Sequence, residues 1–391
     1  MKKIAKLSLV AAVAVAGFTT TASAGALEDA IKNTSILGYA TMRYDDRNRD
    51  NNTGSNEYTQ NNTKIALGLI SKITEDLSYT YVGAILGGSD TSDGTSNNGV
   101  TNYFGGDIYT VYNNFTYTGF ANTSIILGTQ GLNVPQTDVY DTISGTQEGT
   151  GIAAVTTLGP VTLVGAYMNE TNLMGGDQVS KLGLATATAN EINKENLIVL
   201  QAMSKFAGVA LDATYIDVND TFDSYSVGAK ASIDAGVAKL SPYARYTQLE
   251  FDGASGDNKL WFVGSKFKAG IVGGNIGYGQ TGKKGGFVAV DTDAEAAFQG
   301  WATQLNGTKD GSTIKTNLNV DVMSGVNVAL NYNTLTFENT NTGLDNDTDE
   351  VYGQLTWKPA KNFMAYLRYG QVDYEGSNDG ERGRIHVQYT F

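Results

Sequence analysis

Between residues 314 and 332 the chain alternates with a period of two on both sides of a tight turn. Ile314, Thr316, Leu318, Val320 and Val322 fall on one face, and Lys315, Asn317, Asn319 and Asp321 on the other. After Ser324-Gly325 the pattern returns as Val326, Val328, Leu330 and Tyr332 against Asn327, Asn331 and Asn333. Successive strand side chains point to opposite sides of a sheet, so this is a hairpin with one apolar and one polar face. Residues 363–369 repeat it, with Phe363, Ala365, Leu367 and Tyr369 against Met364, Tyr366 and Arg368. So does the carboxyl end, where Ile385, Val387, Tyr389 and Phe391 share one face. In water such strands cover a sandwich core, so alternation alone leaves sandwich and barrel open.

The amino end decides the solvent. Lys2, Lys3 and Lys6 precede an apolar run from Leu7 to Phe18 and then Ala22-Ser23-Ala24, the three parts of a secretory signal peptide, with cleavage expected after Ala24. The run is far shorter than the ~20 residues of a spanning helix. The expected division is therefore residues 1–24 as signal and 25–391 as one barrel domain. Loss of three lysines takes 27 basic groups to 24 against 40 acidic ones, a formal charge of −16, which argues against nucleic acid as a partner. Cysteine is absent from a chain bound for an oxidising compartment, so its stability comes from something other than disulfides; a closed sheet supplies it. A strand with a terminal Phe behind an export signal points to a β-barrel of a Gram-negative outer membrane.

Such barrels carry short periplasmic turns and long outer loops. Tight turns are expected at 74–76, 118–120, 158–160, 206–208, 234–236, 268–270, 324–325 and 358–362. Loops are expected at 45–60, 88–105, 130–150, 169–194, 217–223, 251–258, 280–310, 339–349 and 375–382. Eight turns and nine loops join eighteen antiparallel strands, starting near Ile36. A barrel of about eight strands fills with side chains, whereas ~16 or more leave an aqueous channel. With lipid outside, the polar faces line water.

Several segments resemble the major outer-membrane porins of the Campylobacter group: Lys6-Leu7-Ser8-Leu9-Val10-Ala11-Ala12, Leu27-Glu28-Asp29-Ala30-Ile31-Lys32, Arg43-Tyr44-Asp45, and Gly128-Thr129-Gln130-Gly131-Leu132-Asn133 with Thr137-Asp138, together with the last strand. The resemblance implies an 18-stranded homotrimer in outer-membrane lipid and lipopolysaccharide, with the third loop folded inward and moderate cation selectivity. It requires no cofactor but implies a structural calcium held by acidic groups, for which Asp141 and Asp177 are the candidates.

If the loop at 130–150 enters the lumen, Asp138, Asp141 and Glu148 narrow it opposite inward bases such as Arg43, Lys230, Arg245, Arg368 and Arg384. Facing charges of this kind sort ions by sign. On a solvated outer loop the same acids do nothing specific. Gly277-Tyr278-Gly279-Gln280-Thr281-Gly282 has glycines at dinucleotide-site spacing but opens no helix, and Asp345, Asp347 and Asp349 start like a calcium loop but lack its Gly and final carboxylate. Both read as strand ends and loops. The single His386 faces the lumen without a nucleophile or acid placed for hydrolysis, so no enzyme is expected. The expected function is passive diffusion of small polar solutes and ions. A substrate-specific channel, with Tyr243, Arg245, Tyr366, Arg368 and Arg384 along its wall, or a surface adhesin are the alternatives.

Overall fold

The computed structural model describes residues 33–51, 54–55, 58–92, 108–143, 145–173, 192–252, 257–338, 343, 345–375 and 379–391. The expected signal peptide at 1–24 and Asp177 lie outside them. No helix among the described residues is long and apolar enough to cross a membrane; the chain is built of strands instead. In order these are β1 (Thr34–Asn51), β2 (Tyr58–Lys72), β3 (Leu77–Ser92), β4 (Tyr109–Phe120), β5 (Thr123–Gly131), β6 (Glu148–Leu158), β7 (Val161–Thr171), β8 (Leu197–Phe206) and β9 (Val209–Val218). The second half continues as β10 (Phe222–Ala231), β11 (Lys239–Phe251), β12 (Asp257–Ala269), β13 (Val272–Thr281), β14 (Lys309–Met323), β15 (Val326–Glu338), β16 (Asp345–Ala360), β17 (Phe363–Tyr374) and β18 (Gly380–Thr390). Two-residue ladders at Gly54–Ser55 and Ile233–Asp234 extend β1 and β11.

Every strand pairs antiparallel with the next, and β18 returns to β1 with partners from Tyr39↔Thr390 to Arg49↔Gly380. The eighteen-stranded barrel expected from turns and loops is the one observed. In hydrocarbon an unpaired backbone N–H or C=O costs several kcal/mol, so an open edge is not tolerated and closure is obligatory. Phe391 completes the seam, its N–H donating to Gly38 O at 2.9 Å and its carbonyl accepting from Gly38 N at 3.0 Å.

Several boundaries move. The turn expected at 118–120 lies at 121–122, because β4 runs to Phe120; that at 268–270 lies at 270–271; and β16 carries through Pro359 with a register shift after Trp357, leaving 361–362 as the turn. Asp345, Asp347 and Asp349 are in strand β16 rather than in a loop, and β1 extends to Asn51 where a loop from 45 was expected. Proline also enters a strand at Pro242. It sits where the β10–β11 ladder is interrupted, after Lys230↔Tyr243 and before Ile233↔Leu240, so the missing N–H falls at a gap in the pairing. Gly325 ends the β14–β15 turn at φ 76°, where an added Cβ would lie 2.4 Å from Lys358 O.

Side-chain faces follow the alternation on β14 to β18: Leu318, Leu330, Leu355, Leu367 and Ile385 are outward and exposed, while Asn317, Asn331 and Arg368 line the interior. The rule that polar residues line the lumen fails on the other side. Leu197 and Val199 of β8, Ile216 and Val218 of β9, Phe222 of β10 and Leu249 of β11 are buried inside, although Ile198, Leu200, Tyr215 and Tyr225 make the outer face of the same strands apolar too. The cause is packing: Leu132, Val134, Phe287 and Val290, from the third and seventh loops, fill that half of the lumen.

Leu318→Arg places a charge on the lipid face and is expected to lower folding stability in bilayers by about 2–4 kcal/mol. Asn317→Arg, on the lumen side, is expected to cost far less. Urea titration of both variants in lipid vesicles checks the assignment.

Candidate functional site

Two inward loops build the site, residues 132–147 between β5 and β6 and residues 282–308 between β13 and β14. The third loop closes on itself, with Leu132 N–H donating to Gln147 O at 2.9 Å, Gln147 N–H to Asp138 O at 2.9 Å and Asp138 N–H to Gln147 Oε1 at 2.6 Å. It then spans the lumen. Gln136 Nε2 donates to Ser224 Oγ of β10 at 2.9 Å, while Lys64 Nζ of β2 donates to Asp141 O at 2.9 Å. Those strands are eight places apart in the ring of eighteen and so nearly opposite.

The seventh loop lies against the third. Val290 N–H donates to Gln136 O at 2.9 Å, Ala296 N–H to Pro135 O at 2.8 Å and Gln147 Nε2 to Asp291 Oδ2 at 3.1 Å. Its apolar residues Val288, Ala289, Ala294, Ala296, Ala297, Phe298 and Leu305 pack on Leu260, Phe262 and Leu335, with Phe298 stacked on Phe262 at 4.4 Å and 10°. Sequence reasoning missed this loop as part of the pore. The signal was present in Phe287-Val288-Ala289-Val290 and Ala294-Glu295-Ala296-Ala297-Phe298, runs too apolar for a solvated outer loop.

Polar anchors fix the seventh loop at two places. Arg245 forks onto Asp212 at 2.8 and 3.0 Å, and onto Glu295 at 3.0 and 2.8 Å, with a further bond to Ser226 at 2.9 Å. Lys230 adds a 2.8 Å ion pair to Glu295. Burial works against the Glu295 anion, but Arg245 and Lys230 outweigh it and hold its carboxyl below the ordinary range. At the second place Glu350 of β16 is buried and accepts from Trp301 N–H at 2.8 Å, from Thr303 Oγ1 at 3.2 Å, and from Ala302 N–H and Asn333 Nδ2. A buried carboxylate is tolerated when its lone pairs are filled this way.

What remains open is a cavity of about 1340 Å³. Of the expected constriction residues, Asp141, Arg43, Lys230, Arg368 and Arg384 line it, whereas Asp138, Glu148 and Arg245 are buried away from it. Glu148 opens β6, bound to Asn172 and Thr146. Arg245 is an anchor rather than a pore base, because two carboxylates and a hydroxyl fill its fork. The bases also form two groups, Lys230 beside Glu295 and the set Arg43, Arg368 and Arg384 on β1, β17 and β18, which Arg47 and Arg382 extend, while Lys266 of β12 and Lys315 of β14 line the cavity from other strands. His386 is on the inward side but covered, stacked on Tyr366 at 4.8 Å and accepting from Arg43 Nε at 3.4 Å.

Between the loops, Asp138, Asp141 and Asp293 bring carboxylate oxygens within 4.8 Å of one another. Burial pushes the Asp138 carboxyl up; the bond from Tyr140 N–H opposes this, and the charges of Asp141 and Asp293 add to it. Three convergent carboxylates joining two loops suit a hard divalent cation, with backbone oxygens and water completing the 6–8 ligands calcium takes. Asp141 is thus brought to such a cluster; Asp293 is the partner the sequence did not reveal.

Comparison with known proteins agrees with this picture. No curated protein sequence matches the chain. The barrel is similar to OccK7 (OpdD) of Pseudomonas aeruginosa, with a TM-score of 0.73 at 14% identity over 91% of this chain and 99% of that one. It is also similar to OccK5 (OpdH) of the same organism, at 0.71 and 12% over 91% and 98%, and to a BenF-like porin from Pseudomonas fluorescens Pf-5, at 0.71 and 12% over 92% and 99%. At these identities the likeness shows the fold. Residues 1–172 match the family described as Campylobacter major outer membrane protein. A closed eighteen-stranded barrel with a polar passage, whose first 172 residues are similar to that family of major outer membrane proteins, is an outer-membrane porin channel.

Proposed function

We propose that the pore is a weakly selective, non-enzymatic diffusion channel whose narrow point carries opposed charge. The observation behind this is the division of the lumen. The third and seventh loops supply Asp141 and Asp293, while β1, β17 and β18 supply arginines across a shared cavity. A field across a low-dielectric passage sorts permeating ions by the wall they follow. The whole chain is acidic, at −13 before any processing, which enriches cations at the mouths. At the cavity wall itself eight bases face four acids, which pulls the other way. A mild cation preference rests on Asp141 and Asp293, the two carboxylates of the cluster that line the cavity.

We also propose calcium at that cluster and a homotrimer in lipid and lipopolysaccharide, as the family resemblance implies. For calcium the support is the carboxylate convergence. For the trimer it is the continuous apolar outer face, which suits neighbouring barrels or lipid alike.

Under a potassium chloride gradient the reversal potential is expected to sit slightly on the cation side, in conductance steps grouped in threes. Asp141→Asn with Asp293→Asn is expected to move it to the anion side; an unchanged potential would remove the cluster from selectivity. Calcium titration by calorimetry is expected to show binding that this double variant loses. Arg245→Gln strands Asp212 and Glu295 with less compensation, at about 3–5 kcal/mol if the pair is fully desolvated and less here because Glu295 is partly exposed. The expected readout is a noisier open current, as the seventh loop loosens. The depressed Glu295 carboxyl contributes stability above its unfolded pKa and loses it as pH falls through its lower folded pKa. Acid titration of wild-type current noise is therefore expected to approach the variant's level only in strongly acidic solution.

A further inference from the structure

We infer that the inward face of β17 and β18, together with Trp301, is a binding subsite for small organic carboxylates on their way through the pore. The inference deepens the channel reading and rests on it.

Arg368 and Arg384 are direct register partners, and Arg382 lies two residues from Arg384 on the same face of β18. Trp301, carried in by the seventh loop, lies 5.0 Å from the Arg368 guanidinium, 5.4 Å from that of Arg382 and 5.8 Å from that of Arg384. Tyr352 at 5.0 Å and Tyr366 at 5.3 Å cover Arg368 further. Only one of the three cations has an ion pair among the described residues, Arg384 with Asp45. Arg368 donates from Nε to Gln354 Oε1 at 2.8 Å, and Arg382 from Nη1 to Trp301 O at 2.8 Å. Glu350 is near, but its oxygens are filled by the backbone it pins and by Thr303 and Asn333. A guanidinium covered on its faces by aromatic rings keeps its planar edge, and that edge matches a carboxylate with two parallel hydrogen bonds.

A second observation points the same way. Gln299 lines the same cavity two residues before Trp301, and both its amide nitrogen and its amide oxygen are buried with no hydrogen-bond partner among the described residues. Buried polar groups in native proteins are almost always satisfied, so the Gln299 amide is a donor and an acceptor still to be satisfied beside the passage. The indole supplies apolar surface for the body of the ligand, which favours an organic carboxylate over a bare inorganic anion. Glu350 is a positioning residue, since it fixes the backbone of 301 and 302 and thereby the ring.

The test uses the full-length protein in planar bilayers, with benzoate added to one side of potassium chloride solution. Benzoate is expected to interrupt the current in a concentration-dependent way, with acetate and inorganic phosphate about tenfold weaker at equal ionic strength. Arg368→Gln with Arg382→Gln is expected to weaken the benzoate interruptions at least about tenfold, and Arg368→Lys with Arg382→Lys to lie between, since charge is kept and the fork lost. Trp301→Ala is expected to bring benzoate down to the acetate level, while Trp301→Phe keeps most of the difference. Conductance steps of any size identify folded pores, and the lysine pair serves if the glutamine pair does not fold. A conducting wild type with no benzoate interruptions, equal interruption by phosphate, or interruptions unchanged in the arginine variants would each overturn the subsite. Absence of any conductance from folded wild type would instead overturn the channel reading.

Discussion

The structure depends on hydrogen bonds that hydrocarbon forces to be complete. Where no water is available, each strand must find a partner on both sides, and the sheet must meet itself. The pairing of β1 with β18 over Tyr39 to Arg49 meets that demand, and nearly everything else is arranged around the ring it creates. Once the ring has eighteen members its bore is too wide for wall side chains to fill. The functional problem then becomes how to narrow a hole that closure makes unavoidable.

The solution is to fold two connections inward and give them a dry bed. The third and seventh loops bury apolar residues against β8 to β12 and one another, and take their polar footing from the wall at Ser224, Lys64, Arg245 and Glu350. Burial of that apolar surface holds the loops, at roughly 25 cal/mol per Å² removed from water. The charged anchors set where they stop. The lumen is therefore divided into a packed half and an open half, and the open half has acids on its loop side and arginines on its wall.

Much of this was legible in the sequence. Alternation at 314–332 and 363–369, with Gly and Pro at the turns, was enough for strand number and for the lipid and water faces of β14 to β18, because there the two solvents differ sharply. The same reasoning failed on β8 to β11. Residues such as Leu197 and Ile216 look misplaced on an inner face until the loop that covers them is known, and that contact joins residues far apart in the chain. Asp141 was a candidate from its loop; Asp293 and Trp301 were not, since their place in the lumen comes from where the seventh loop lands. Arg245 shows the converse error, for an inward base was read as open when carboxylates from two other elements enclose it.

The two-faced strands carry a cost during assembly. A strand with one polar face is sorted at once, because a slip of one residue turns its whole apolar set from lipid into water. On β8 to β11 that penalty is reduced, because Leu197, Val199, Ile216, Val218, Phe222 and Leu249 put apolar side chains on the inner face as well, and a shifted offset would look less wrong to the bilayer. What distinguishes the right offset is the set of pegs standing on the inner side: Ser224 must meet Gln136, and Arg245 must meet Asp212 and Glu295. Proofreading of this half of the wall thus falls to the eyelet, so a barrel correctly zipped here is one that has already been narrowed.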